Sequence, residues 1–141
     1  MPKPSGEWLS DDIAHYALLG VDHVVSLLEP AEVSELKLEK ELKLCESYGI
    51  RFTNFPIQDR GLPTEEKFTK MLHKLAGEFC AGSSIAIHCR AGIGRAGLTM
   101  SCLLICVGMS PQMAINFVSE ARRVQIPDTK EQTDFIMSFC S

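Results

Sequence analysis

Cys89 and Arg95 stand six residues apart, with Gly92 and Gly94 between them, after one apolar run and before a longer one. Residues of these types at this spacing can bind and attack a tetrahedral oxyanion. The glycines reach backbone angles at which successive N–H groups turn inward, and a helix after the loop adds its free N–H groups and positive dipole end. A thiol facing such donors has its pKa drawn to about 3.5–7.5, so Cys89 is expected as a thiolate nucleophile at neutral pH. Arg95 offers a planar fork matching two phosphoryl oxygens, which a lysine cannot reproduce. The expected phosphate cradle is therefore Arg90, Ala91, Gly92, Ile93, Gly94 and Arg95. His88 either fixes that cradle through its imidazole or is a satisfied core histidine.

The same stretch contains Gly92-x-Gly94-x-x-Gly97, the spacing of the dinucleotide-binding fingerprint. That fingerprint needs a strand ending in an acidic residue roughly 20 residues further on. Ser110 to Glu120 occupies that place and reads as a helix. Only 44 residues (141 − 97) follow Gly97, too few for the remainder of such a fold. The oxyanion reading also explains Cys89 and Arg95, and the dinucleotide reading does not.

The elements that must position these residues alternate between strand and helix. Ser10 with Asp11 and Asp12 reads as the cap of a helix ending at Gly20, and residues 24–28 as a buried strand. Two short helices follow over 30–36 and 39–48, and then a strand over 51–57. The Gly- and Pro-marked loop 59–63 comes next. Thr64 starts a helix with apolar positions at Phe68, Met71, Leu72, Leu75 and Phe79. A strand over 84–87 delivers the glycine loop, followed by a buried helix over 98–107. Ser110-Pro111 opens another helix to about Arg123, and Thr129 with Gln132 has capping-box spacing for a terminal one. This order predicts a single α/β domain over residues 1–141, with a mostly parallel central sheet flanked by helices on both faces. Ligands gather at the carboxyl ends of such strands, which puts Asp59 and Cys89 on one rim.

Composition narrows the function classes. Hydrophobic residues make up 45% and charged residues 23% of 141 residues, the balance of a globular protein. Fourteen Lys and Arg against 18 Asp and Glu give a net charge of −4, so no global positive field gathers nucleic acid or anionic membrane. No run is long enough to span a bilayer and no signal-peptide core is present, so a cytoplasmic monomer without nucleic-acid or membrane partners is expected. The six cysteines form no Cys-x-x-Cys pair, and reduced thiols are expected. Cys102 and Cys106 read as small core hydrophobes. Cys45 or Cys80 is a candidate to trap an oxidised Cys89 as a disulfide.

His88-Cys89-Arg90-Ala91-Gly92-Ile93-Gly94-Arg95 resembles the signature of the protein tyrosine phosphatase superfamily, in its small dual-specificity-like branch. The similarity runs from about Trp8 to Phe139. Pro56 to Pro63 is similar to the loop that carries the family's general acid, which implies that role for Asp59; the bare residue pattern also fits a turn. Arg122-Arg123 and Asp128 to Gln132 resemble the segment whose glutamine positions the hydrolytic water, implying that role for Gln132. The resemblance implies hydrolysis of phosphate monoesters through a phosphocysteine on Cys89, with no cofactor and no metal. Phosphotyrosine is the implied substrate, with phosphoserine and phosphothreonine as further candidates.

Two departures from the family pattern stand out. Ala96 occupies the position after the loop arginine where a Ser or Thr hydroxyl commonly eases departure of the thiolate. This raises a phosphate-binding pseudophosphatase with poor turnover as an alternative. The chain also begins with a Pro-rich stretch where many relatives have built a first strand, so either a sheet one strand smaller or a late start of the sequence is expected. Arg90 adds a charge that would suit a phosphoinositide, or it is a solvated loop charge.

Overall fold

The computed structural model describes residues 1–139. Three short parallel strands, β1 (His23–Ser26), β2 (Arg51–Asn54) and β3 (Ile85–His88), lie side by side in the order β2-β1-β3. Their register sets Ser26 of β1 opposite both Asn54 and His88, so the carboxyl ends of all three strands are level. The expected parallel α/β architecture is observed, on a sheet of three strands among the described residues.

Alternation along the strands divides the interior in two. Val25 and Ile87 face one core, with Phe68, Leu72 and Leu75 of α4 (Glu65–Cys80) and Leu98, Cys102 and Leu103 of α5 (Arg95–Cys106). Val24, Phe52 and Ala86 face the other, with Ile13 of α1 (Leu9–Leu18), Val33 of α2 (Pro30–Glu35) and Cys45 of α3 (Glu41–Ser47). The connection from β1 to β2 and the one from β2 to β3 run in opposite directions across the sheet. One crossover hand for both therefore requires their helices on opposite faces, as found. Helices α6 (Pro111–Arg122) and α7 (Lys130–Ser138) complete the α4–α5 side.

Several boundaries differ from the sequence-based expectation. Ser10 lies inside the first turn of α1, whose N-cap position is Trp8; upstream, the Ser5 N–H donates to Asp12 and the Trp8 N–H to the Ser5 hydroxyl. Residues 55–57 lie beyond the regular strand, at a point where the Asn54 side-chain amide donates to the Ser26 and Leu28 carbonyls. Phe55 and Ile57 nevertheless still donate to β1 and to Leu27 just beyond it. Helix α5 starts at Arg95, three residues earlier than expected, with Gly97 and Leu98 donating to the Ile93 and Gly94 carbonyls. The Ser110 cap of α6 and the Thr129–Gln132 capping box of α7 form as their spacing predicts. No helix among the described residues is long and apolar enough to cross a membrane.

Candidate active site

Between β1 and β3 the chain leaves the sheet toward opposite faces, into α2 after β1 and into α5 after β3. Such a switch point leaves a crevice at the strand ends. Cys89 is the first residue past β3, and a cavity of about 190 Å³ opens there, lined among others by Cys89, Arg95, Asp59, Arg60, Arg90 and Asp128. A larger hollow of about 460 Å³ beside His23, Arg51 and Glu78 lies at the opposite end of the sheet, and none of the signature residues lines it.

The Cys89 thiol is 3% exposed and accepts the Gly92 N–H at 3.3 Å. Gly92 has φ +77°, and a Cβ there would collide with the backbone of Met1 and Pro2, so glycine is required by conformation and by space. The loop's carbonyls are held from outside. Arg122 on α6 donates to the carbonyls of Gly92 at 3.2 Å and Ala91 at 3.1 Å. A ring nitrogen of His88 lies 3.3 Å from the Cys89 carbonyl. In a trans peptide the N–H points opposite to the C=O, so carbonyls pulled outward turn the following N–H groups inward. The Gly92 N–H on Cys89 Sγ shows that direction.

Arg95, in the first turn of α5, is 2% exposed. Its two terminal nitrogens donate to Glu32 Oε1 and Oε2 at 2.7 and 2.9 Å, and one of them also donates to the Ile57 carbonyl at 2.9 Å. Asp59 Oδ1 lies 3.4 Å from the other. Glu32 is the third helical residue of α2, where its carboxylate also accepts the Glu29 N–H and so caps the helix. Hydrogen bonds from Arg95 outweigh burial and, with the charges of Arg95 and Arg90, hold the Glu32 carboxyl below the usual carboxylate range. Burial works against the Arg95 charge, yet Glu32 and the nearby Cys89 and Asp59 carry its pKa upward overall. The fork is therefore a fixed cation whose orientation is set by a bidentate partner.

Asp59 is more than half exposed at the cavity mouth. The segment leading to it is anchored by buried Ile57 and by Phe55, whose ring centroid lies 6.0 Å from that of Phe68. Arg90 donates to Glu35 at 2.9 Å and approaches Glu32 at 3.5 Å, so this cation is already engaged by two carboxylates of α2. Gln132 is fully buried: its side-chain oxygen accepts the Asp128 and Thr129 N–H groups at 3.1 Å, and its amide donates to the Gly61 carbonyl at 3.4 Å. From that segment, Asp128 reaches the cavity lining. Ala96 packs in the core beside the loop.

His88 is completely buried, and its Nε2 lies 2.6 Å from Glu41 Oε2 on α3. Residue patterns alone did not reveal Glu32, Glu41 or Asp128. Glu32 had a local signature, as the acidic residue three positions after Glu29 before a short helix, but nothing local ties it to Arg95.

Among the described residues, Cys45 and Cys80 lie in other parts of the fold from Cys89. Cys45 is buried in the core on the α3 side, where desolvation pushes its pKa up to about 12. Cys80 ends α4 before β3 begins, so the four residues of β3, roughly 13 Å of strand, separate it from Cys89. A disulfide needs Cα atoms within about 7 Å, so Cys80 is not positioned to trap an oxidised Cys89, and Cys45 belongs to the other core. Cys102 is a core residue as expected, its pKa pushed up by burial. Among the described residues no group of three or more His, Cys, Asp or Glu side chains is arranged to hold a metal ion.

Residues 4–135 match the family described as PTP-SAK, Swiss Army Knife protein, DSP-PTPase phosphatase domain. The chain is 32% identical over 123 residues to protein tyrosine phosphatase type IVA 3 of Bos taurus, covering 86% of this chain and 66% of the relative. It is 29% identical over 122 residues to cyclin-dependent kinase inhibitor 3 of Rattus norvegicus, covering 85% and 58%. The chain thus spans only part of the length of these curated relatives. Among solved structures, Tk-PTP in its active form superposes with a TM-score of 0.76 at 26% identity, covering 94% of this chain and 84% of that one. Kinase associated phosphatase, with its catalytic-site cysteine replaced by serine, gives 0.82 at 23% identity, covering 90% and 72%, a likeness of fold. With its glycine loop between β3 and α5 and its match over residues 4–135, the chain belongs to the dual-specificity-type family of protein tyrosine phosphatase domains.

Proposed function

We propose that this domain hydrolyses phosphate monoesters in two steps, with aryl phosphates, phosphotyrosine among them, turned over best. In the first step the Cys89 sulfur bonds to phosphorus as the bond to the leaving oxygen breaks, and Asp59 gives that oxygen its proton. In the second, water attacks phosphorus, the P–S bond breaks, Asp59 takes the water's proton, and phosphate leaves with the thiolate restored. Two easier displacements replace one difficult one, and a single carboxyl serves as acid and then base. Arg95 and the loop N–H groups from Arg90 to Gly94 bind the phosphoryl oxygens. Gln132, with its amide engaged in three hydrogen bonds, bears on the water through the Asp128 and Gly61 segments that it holds.

The observation that carries this reading is the single cavity shared by Cys89, Arg95 and Asp59. A nearly buried thiol favours a phosphoryl group carried on a long leaving group. Because Glu35 and Glu32 already engage Arg90, that residue offers little to a second phosphate, and the phosphoinositide alternative is not favoured. Nor is a binding-only role, since nucleophile and acid both reach the cavity.

The test is burst and steady-state phosphate release from an aryl phosphate, a phosphotyrosine peptide, a phosphothreonine peptide and a phosphoinositide, with the wild type and Asp59→Asn. The aryl phosphate and the phosphotyrosine peptide should be fastest, and Asp59→Asn should lower kcat by about 10²-fold. No release from any of the four would refute the proposal. Ala96 makes the second step the slower one, because no hydroxyl there stabilises the departing thiolate. Ala96→Ser is expected to raise the steady-state rate about tenfold relative to the burst, on the order of one hydrogen bond to a charged group. An unchanged ratio of burst to steady-state rate would remove Ala96 from the account.

A further inference from the structure

We infer that Glu41, on α3 and outside the cavity, is a positioning residue that acts through His88 on the Cys89–Arg90 peptide. The inference rests on the loop's role as a phosphate cradle and concerns what fixes its first peptide. His88 is 0% exposed and Glu41 2%, and neither reaches the cavity. One ring nitrogen, Nδ1, lies 3.3 Å from the Cys89 carbonyl oxygen, and the other, Nε2, lies 2.6 Å from Glu41 Oε2.

A carbonyl oxygen can only accept, so Nδ1 must carry the proton it donates. The proton on the second contact then sits on Nε2 with a Glu41 carboxylate, or on Glu41 with Nε2 as acceptor. Either way the pair is neutral as a whole and the Nδ1–H faces Cys89. Without a partner at Nε2, the buried imidazole would have an unsatisfied nitrogen and a ring free to rotate away from the loop. Glu41 thus fixes the ring plane and keeps the Nδ1–H facing the Cys89 carbonyl.

Fixing the ring aims the peptide. The Cys89–Arg90 bond is trans, so a Cys89 carbonyl held toward His88 turns the Arg90 N–H toward the phosphate. Arg122 does the same for the peptides after Ala91 and Gly92. The first donor of the cradle is therefore set by α3, through a carboxylate 47 residues away in sequence. Misaiming one preorganised donor weakens binding of the transition state more than it disturbs the fold.

Glu41→Leu keeps the volume and removes the partner. It is expected to lower kcat/KM for an aryl phosphate about tenfold or more and to weaken inhibition by inorganic vanadate by a similar factor. Glu41→Gln, whose amide N–H can donate to Nε2, should recover most of both. In a His88→Asn background, Glu41→Leu should change either quantity by less than about twofold, because its route is gone. Equal activity of Glu41→Leu and wild type, equal loss in the Gln variant, or full additivity with His88→Asn would overturn the inference. Nitrogen NMR of His88 in the wild type needs no variant to fold: a protonated Nδ1 supports the assignment, and an unprotonated Nδ1 overturns it. That spectrum is independent of turnover, so absence of phosphatase activity would sink the proposed function and leave this question decided separately.

Discussion

Cys89→Ser is expected to lower phosphate release from an aryl phosphate by at least about 10⁴-fold. The burst should disappear along with the steady state, because no phosphocysteine can form. A serine hydroxyl at this position faces the same Gly92 N–H as the thiol, at 3.3 Å in the wild type, but it is far harder to ionise. The cradle itself does not depend on sulfur. Arg95 stays bound to Glu32 and Ile57, and Arg122 still holds the Ala91 and Gly92 carbonyls. The serine variant should therefore bind a phosphotyrosine peptide within about tenfold of the wild type, since the oxyanion donors remain in place. Titration calorimetry beside burst kinetics separates the two quantities. A serine variant that turned over at more than one part in about a hundred of the wild-type rate would exclude Cys89 as the nucleophile.

The loop between β3 and α5 was legible in the sequence because its parts are contiguous. A thiol, two glycines and an arginine within eight residues, set between a strand and a helix, specify one local object. The order of strands and helices was legible for a similar reason, since hydrophobic period and caps are local, and Ser110 and Thr129 cap where their spacing says. What holds the cradle was not legible. Glu32 is 63 residues from Arg95, Glu41 is 47 from His88, and Arg122 is 30 from Gly92. These contacts exist only once the crossovers have brought α2, α3 and α6 to the rim, and a sequence window carries no record of them. Even local signals failed where two competed. Ser10 with Asp11 and Asp12 looked like a cap, but Asp12 reaches back to the Ser5 N–H, and the helix begins earlier. The glycines suggested a loop running to Leu98, yet Gly94 has φ −75° and feeds directly into α5, which is why Arg95 is held by a helix rather than by a free loop.

Arg95→Lys is expected to lower kcat/KM on the order of 10²–10³-fold, because a point charge replaces a fork that presents several donors to the phosphoryl oxygens. It should also lose the bidentate bond to Glu32, and this makes Glu32→Gln the sharper experiment. A glutamine oxygen can accept from one guanidinium nitrogen, but its NH₂ group then faces the other N–H, donor against donor. The Arg95 fork stays in its pocket, bound to the Ile57 carbonyl and near Asp59, but loses its fixed angle. A drop of about tenfold in kcat/KM follows from that misorientation. The same contact has a pH signature. The Glu32 carboxyl is held below its ordinary value of 4.5 in the folded protein, chiefly by the Arg95 hydrogen bonds. A depressed carboxylate stabilises the fold fully above its unfolded pKa, and the contribution fades as pH falls through the folded one. Wild-type stability, read as the urea midpoint, should therefore decline more steeply below pH 4.5 than that of Glu32→Gln, and the two curves should converge in acid. Parallel curves would mean that the Glu32 charge contributes nothing to folding. Its contact with Arg95 would then matter for catalysis alone, and a kcat/KM equal to the wild type would remove that role as well.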